Sequence, residues 1–389
     1  MKLTLRQQLA QFGHLLQSKL FPVLEEELGE LSATARRLIA VLNLIPLQRF
    51  IPSSRGWMGR PSKDRVAIAR AFVAKAVYNF ENTRDLLDRL ASDRQLLAIC
   101  GWKYPRQLPH ESTFSRAFAE FAQMELPQFV HETLIRETHK DRLVGHIARD
   151  STAIEGREQV APQAKKAREN RKNKAPKKRR KPGPRRAGEP VMEKEKTRLE
   201  RQREMSLAEM LQELPRHCDI GCKKNSEGHP QYWRGYKLHL DVADGQIPIA
   251  AVLSSASLHD SQVAIPLATL TGQRVTSLYD VMDAAYDARQ IHEHSRSLGH
   301  VPIIDPAQRV GPRRSVIGPF KAPRQFSPAE QKRFQERTMV ERVNGRLKEE
   351  FGAGCVRVRG AAKVMAHLMF GVLALTADQL LRLGEGCSG

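Results

Sequence analysis

The stretch FQERTMVERVNGRLKEEFG, residues 334–352, decides how the rest of the chain is read. It follows Ser327-Pro328-Ala329-Glu330, a capping box with proline at the first helical position, and it ends at Gly352, a natural helix stop. One helix is predicted across it. At about 100° per residue, Val340, Val343, Leu347 and Phe351 share an apolar stripe, and Arg337, Glu341, Asn344 and Lys348 lie within about 60° of one another beside it. The polar row therefore borders the core instead of facing bulk water. A salt-bridge-laced surface helix is the commoner fate of such charges, and two details count against it. Arginine four residues ahead of glutamate is the weaker order for helix stabilisation, and the interior Gly345 costs about 1 kcal/mol relative to alanine. A glycine there makes sense where a backbone or a substrate comes close.

The chain has 389 residues, enough for a sizeable core and two domains. Its 64 Lys+Arg against 43 Asp+Glu give a net charge of +21, which favours a polyanionic partner; nucleic acid leads and an anionic membrane is the weaker candidate. No stretch near the start has the layout of a secretion signal. Five scattered cysteines are too few for a disulfide framework, so a cytoplasmic, reduced protein is expected. The apolar segment 362–383 is interrupted by Lys363, His367, Asp378 and Arg382, which predicts a buried helix and no membrane span.

Residues 1–140 read as an all-α region. Val66, Ala69, Val73, Ala76, Val77 and Phe80 form one helical face, a second helix runs through residues 82–87 and a third starts at Ser112. The turn at Gly101-Trp102-Lys103-Tyr104-Pro105, with Arg106 and Arg116 nearby, fits a DNA-binding helix-turn-helix and ordinary helical packing equally well. From residue 142 short apolar runs take over, at 143–148, 236–242, 247–253, 278–282 and 301–304. In the second, Tyr236, Leu238, Leu240 and Val242 alternate with Lys237, His239 and Asp241; Asp244-Gly245 then predicts a hairpin. Helices over 260–270 and 288–298 alternate with the later strands, so a mixed α/β sheet is expected. Between the first two runs, residues 161–190 hold thirteen Lys/Arg against Glu169 and Glu189, over half of the chain's excess charge. With five prolines and few large apolar side chains, this segment is predicted not to fold alone and to lie along a phosphate backbone; a solvated linker is the plainer alternative.

Two acidic residues end predicted strands, Asp150 in Arg149-Asp150-Ser151-Thr152 and Asp283 in Met282-Asp283-Ala284-Ala285-Tyr286. Strand ends in an α/β sheet are where ligands usually bind, and two aspartates with a helix glutamate offer hard oxygen ligands for Mg²⁺ or Mn²⁺. Each alone also reads as a simple turn cap. Taken together with the spacing Phe334, Arg337, Glu341, Lys348, these segments resemble the Tyr-Arg-Glu-Lys signature subgroup of bacterial insertion-sequence transposases of the DDE type. Gly235-Tyr236-Lys237-Leu238-His239 and Leu258-His259-Asp260-Ser261 are similar to further segments of that family, and the likeness spans residues 142 to 352.

The resemblance implies an RNase H-like mixed sheet flanked by helices. It places an all-α domain at 1–140 for DNA end recognition or dimerisation, a catalytic region at 141–389, and a basic flexible insertion at 156–216 between the first two strands. It implies Asp150, Asp283 and Glu341 as catalytic residues and as ligands of two divalent cations, Mg²⁺ or Mn²⁺. Arg337 and Lys348 would hold phosphate oxygens, Asn344 would help orient DNA, and Lys177, Lys178, Arg179, Arg180 and Lys181 would contact the backbone. The partners implied are inverted-repeat DNA at the element's ends and target DNA, with a homodimer on DNA, no membrane, and a cytoplasmic, nucleoid-associated location. Water would attack first at the element's end and the freed 3′-hydroxyl would then attack target DNA.

Three departures stand out: Phe334 replaces the signature tyrosine, Ala285 replaces a usual glycine, and only 57 residues separate Asp283 from Glu341. The short spacing argues against the large β insertion of some relatives and against a hairpin-forming pathway. His217, Cys218, Cys222 and His229 have a poor spacing for zinc. His259-Asp260 reads as a helix start or a support of the catalytic sheet. A transposition repressor without catalysis and a nuclease that only hydrolyses are the alternatives.

Overall fold

Helices fill the chain as far as residue 139: α1 (Leu5–Leu15), α2 (Phe21–Leu28), α3 (Ala33–Leu44), α4 (Arg65–Val77), α5 (Thr83–Ser92), α6 (Arg94–Cys100), α7 (Glu111–Gln123) and α8 (Leu126–His139). The computed structural model describes residues 3–52, 63–140, 142–160, 196–224, 227–306 and 326–385. Short polar side chains start several of these helices. Ser32 accepts from Ala35 N, Asp64 from Val66 N and Ala67 N, and Asn82 from Asp85 N, each satisfying amide donors that a helix start leaves open. Helix α4 departs from the one-faced pattern expected of it, since nearly every residue from Ala67 to Val77 is buried. It is a central helix, surrounded by its neighbours.

The remaining elements are β1 (Leu143–Glu155), α9 (Arg198–Gln202), α10 (Leu207–Glu213), β2 (Asp219–Lys224), β3 (Pro230–Ala243), β4 (Ile247–Ser255), α11 (Ser261–Gly272), β5 (Thr276–Met282), α12 (Arg289–Ser297), β6 (Val301–Ile304), α13 (Pro328–Phe334), α14 (Thr338–Glu350) and α15 (Ala361–Glu385). They form a mixed α/β arrangement around a six-stranded sheet. Strand β3 runs antiparallel to β1, β2 and β4, and β5 runs parallel to β1 and β6. The hairpin predicted at Asp244-Gly245 joins β3 to β4, with Gly245 at φ +80° and Gln246 at φ +62°.

Strands β1 and β3 are much longer than their apolar runs suggest, β1 at its carboxyl end and β3 at its amino end. Pairing with β3 carries β1 on to Glu155, so Asp150 lies inside the strand and does not end it. The parallel pairing of β1 with β5 stops at Arg149 opposite Met282, so Asp150 and Asp283 both sit where that parallel pair gives out. Strand β2 was not foreseen; it pairs with the amino half of β3. The described part of the predicted flexible insertion is also more ordered than expected. Thr197 and Ser206 form capping boxes for α9 and α10, and both helices pack on α11, with Gln202, Met210 and Leu214 buried. The five residues Lys177 to Lys181 lie outside the described residues.

The polar face of β3 is buried as well as its apolar face. His239 and Asp241 are fully enclosed. Asp241 accepts from Arg149 Nε and Nη2, both at 2.7 Å, and from Thr271 Oγ1 of α11 at 2.6 Å. The apolar face joins a core that runs without a break from Leu9 through α4, α7 and α8 to the sheet and α15. Helix α15 is long and apolar enough to cross a membrane by length and composition, yet 83% of that window is buried, against α1, α4, α7, α8 and β4. The helical region and the sheet thus share one interior.

Breaking the enclosed Arg149–Asp241 pair from one side leaves an uncompensated charge. Asp241→Ala is expected to cost roughly 3–5 kcal/mol in urea unfolding, while the double change Arg149→Met with Asp241→Leu stays near neutral. Equal losses in both would show that the charges themselves stabilise the sheet.

Candidate active site

Asp150 and Asp283 come together because their strands are neighbours. Burial pushes the Asp150 carboxyl up to about 6, and the nearby charges of Asp283 and Asp260 act in the same direction, against Lys223. Asp283 follows β5 and caps the turn Ala284–Tyr286 by accepting from Ala285 N at 3.0 Å. Its carboxyl is also held above the usual range, first by burial and then by Asp260, with Arg337 and Lys223 opposing. Tyr286 lies beneath, fully buried, and its hydroxyl has no partner among the described residues. Burial and the three aspartates hold that phenol well above its ordinary value.

The third carboxylate of this cluster is Asp260, which the sequence reading took for a helix start or a support of the sheet. Its Oδ1 accepts from Lys237 Nζ at 2.8 Å. Burial works to raise the Asp260 carboxyl and is outweighed; His239 is kept neutral near pH 7 by its own burial, with a value of about 4, so there the Lys237 ammonium does the lowering. Lys237 and His239 come from the polar face of β3, and Lys223 from the unforeseen β2. The alternation of residues 236–242 displayed that face, but nothing local marked it as buried beside two aspartates.

The single helix predicted here is divided in two, with Arg337 of the polar row in the turn between them and Glu341, Asn344 and Lys348 on the second helix. Ser327 and Glu330 form the capping box foreseen for α13, a 3₁₀ turn at Gln335–Arg337 interrupts the run, and α14 begins at Thr338. Val340, Val343, Leu347 and Phe351 are buried as the stripe predicts, and α14 packs on β1 and β3. Its other side is tied down by Asp378 of α15, which accepts from Arg346 Nη2 and Arg37 Nε, each at 2.6 Å.

Arg337 pairs with Glu341 at 2.8 Å, and the Glu341 side chain is 49% exposed. Glu341 is absent from the neighbours that act most on Asp150 and Asp283, and no group of three or more His, Cys, Asp or Glu among the described residues could hold a metal ion as it stands. The structure therefore brings Asp150, Asp283 and Asp260 together and leaves Glu341 engaged with Arg337. Lys348 is half-buried and its ammonium is lowered by burial and by Lys223. Asn344 is only 7% exposed, and its Oδ1 has no partner among the described residues. Gly345 corrects one half of its expectation: a Cβ there would meet no atom within 4 Å, so no packing contact requires the glycine, and the approach of a substrate remains as its reason. At the weighed-down zinc candidates, Cys218 is buried, whereas Cys222 is exposed on β2.

Two family models match the chain, and both describe transposases. One, the Transposase DDE domain, covers residues 211–377; the other, Transposase domain (DUF772), covers residues 25–120. The chain belongs to the insertion-sequence DDE transposases. Asp283 and Glu341 fall inside the first match, while Asp150 falls between the two. Comparison with curated proteins and with solved structures gave no match. DDE transposases act on DNA and generally use divalent metal ions.

Two outcomes follow from this geometry. An acid whose folded value is raised weakens folding once ionised; the penalty is absent below about pH 4 and grows as pH rises towards about 6. In chelator, Asp150→Asn is expected to be the more stable protein at pH 7 by up to ~3 kcal/mol, with the gap in thermal midpoint closing by pH 4; a gap independent of pH would assign it to packing. Gly345→Ala is expected to stabilise the fold by about 1 kcal/mol. A loss of stability in thermal melts would mean that α14 is more crowded there than it is drawn.

Proposed function

We propose that this transposase cleaves DNA strands at the ends of its element and joins the freed 3′-hydroxyl to target DNA, with Asp150, Asp283 and Glu341 as the acidic residues of the reaction. The observation that carries the reading is the meeting of Asp150 and Asp283 at the end of one parallel strand pair, beside a helix whose Arg337 charge reaches Asp283. The order of pairing, with three antiparallel strands followed by two strands parallel to the first, supports an RNase H-like sheet.

The donor set suits hard divalent cations. Asp150 and Asp283 repel each other in a partly dry site, and a cation between them would relieve that repulsion with the oxygen ligands that Mg²⁺ or Mn²⁺ prefers. When bound, a pair of such ions would activate the attacking oxygen and stabilise the leaving one. Glu341 completes the set by leaving Arg337, which frees that guanidinium to clamp a phosphate oxygen. Lys348, bordering the same row, supplies a second clamp. Asn344 keeps an unused acceptor near the same helix face and orients the strand or its water. Asp260 and Lys237 support the carboxylate cluster from below.

The Tyr-Arg-Glu-Lys subgroup fits the row with Phe334 in the tyrosine position; Phe334 lies 5.8 Å from the Arg337 guanidinium, so it packs the clamp where a tyrosine would also offer a hydroxyl. The basic residues Lys177 to Lys181, terminal inverted repeats and target DNA as partners, a homodimer on DNA and a cytoplasmic, nucleoid-associated location belong to the same proposal.

A strand-transfer assay with Mg²⁺ or Mn²⁺ and DNA carrying the element's ends tests it. Joined product is expected from the wild type, and Asp150→Ala, Asp283→Ala and Glu341→Ala are each expected to abolish cleavage while DNA binding persists. Nicks without joining would reduce the activity to hydrolysis, and binding without cleavage would make the chain a repressor. Activity surviving any one substitution removes that residue from the site.

A further inference from the structure

A cleft of about 720 Å³ lies between α5, α7, the end of β1 and the segment that leads into α15. Its walls carry Lys75, Arg84, Arg157, Arg357, Arg359 and Lys363 against Glu81, Asp85 and Glu111. The acids are already engaged. Glu81 accepts from Arg357 at 2.9 Å, Glu111 from Arg84 at 3.4 Å, and Asp85 from the Asn82 amide at 2.7 Å. Lys75 is buried and donates to the carbonyls of Phe80 and Glu81 at 2.7 and 3.0 Å. What remains is Arg157, Arg359 and Lys363, all exposed and without an ion-pair partner among the described residues.

Arg359 is placed by the segment before α15, Lys363 by the first turn of α15 and Arg157 by the residues just after β1. Val356 is buried and Val358 packs against the core, so the intervening Arg357 and Arg359 are turned outwards into the cleft. The amino end of α15 is not the anion site, because Gly360 N already donates to Glu158 Oε1 at 2.6 Å. Unpaired cations in a concave wall focus positive potential on whatever polyanion enters. Arg157 also stands two residues beyond the strand that carries Asp150. By strand rise that is roughly 20 Å from the carboxylates, or about six base pairs of duplex. Lys348 lies on the way, within reach of the charge of Glu155, the last residue of β1.

We propose that this cleft is a second DNA site, in which Arg157, Arg359 and Lys363 grip one sugar–phosphate backbone of duplex DNA about half a turn from the reacting bond. It rests on the proposed function in that the DNA gripped is the DNA cut. Its size suits one backbone and not the whole width of a duplex, and the contacts carry no base specificity.

The test uses the full chain, a labelled duplex of about 40 base pairs of arbitrary sequence, and salt from about 50 to 200 mM. Replacing Arg157, Arg359 and Lys363 together by Gln is expected to flatten the logarithmic salt slope by about 2.7, at 0.9 per lost phosphate contact, and to weaken binding roughly tenfold or more. The thermal midpoint stays unchanged, because the three side chains are exposed and unpaired. A control removes the same charge outside the cleft, with Arg6→Gln, Lys19→Gln and Arg94→Gln, and changes the slope by less than about one unit. A slope change equal to the control's overturns the cleft, as does competition by millimolar pyrophosphate that matches its effect on the control. A wild-type chain that binds no duplex overturns this proposal and the proposed function together; strand joining by a cleft variant with an unaltered slope overturns this proposal alone.

Discussion

The enclosed pair between Arg149 and Asp241 is the contact on which the site depends. The two residues are cross-strand partners on β1 and β3, and Arg149 is also register partner to Met282 on β5, with its Nη1 3.3 Å from the methionine sulfur. One rung thus spans three strands on one face of the sheet. Side chains alternate between faces, so fixing that rung sends Asp150 to the opposite face and leaves Asp283 just beyond the end of β5. A slip of one residue would bury Asp150 under α11 and bring Arg149 into the site. Buried ion pairs contribute little net stability compared with apolar packing. What this one supplies is register: Asp241 has no other side-chain donors than Arg149 and Thr271 among the described residues, and only the observed alignment satisfies all three.

The sheet around that rung was legible in the sequence where apolar residues run together or alternate with polar ones. The apolar runs located β1, β3, β4, β5 and β6, and the glycine turn located the hairpin. The carboxyl half of β1 escaped notice because Asp150, Ser151 and Thr152 look like a loop; pairing to β3, a long-range fact, makes them strand. The same limit hid the role of Lys237 and Asp260, whose meaning comes from what faces them across the sheet. Helices α9 and α10 were masked by the basic composition around them, although Thr197 and Ser206 carry the capping boxes that start them. The apolar stripe on α14 was readable since it follows from helical angle alone, whereas the 3₁₀ turn at Gln335–Arg337 that divides the expected helix had no local signal. Of the two reasons offered for Gly345, a close protein backbone is absent and the space above it is open, which leaves the approach of a substrate.

Electrostatics explain the arrangement of charges around the carboxylates. Three aspartates share a region that also receives the charges of Lys223, Lys237 and Arg337. Each positive group occupies part of the role that a divalent ion would fill. The raised Asp150 shows that the compensation is incomplete, so folding carries a cost concentrated at the carboxyl for which the proposed function has most use. The pairing of Glu341 with Arg337 belongs to the same balance, since it lies on an exposed helix edge where a change of partner requires a new rotamer and no repacking. Helix α14 itself stays fixed through Arg346, Asp378 and Arg37.

The continuous core sets how far such adjustments can travel. Helix α15 packs against the helical region and the sheet at once, and the segment before it forms one wall of the basic cleft while α5 and α7 form another. A duplex held there is held by the same rigid body that carries Asp150 on β1, because Glu158 just beyond that strand ties Tyr236 of β3, at 2.8 Å, to the start of α15. If both proposals hold, gripping and cutting are separated by a length of strand that β1 itself sets. On the proposed reading, Arg337 and Glu341 would exchange partners at the half-exposed edge of α14, a change that asks for new rotamers while α14 stays packed on β1 and β3.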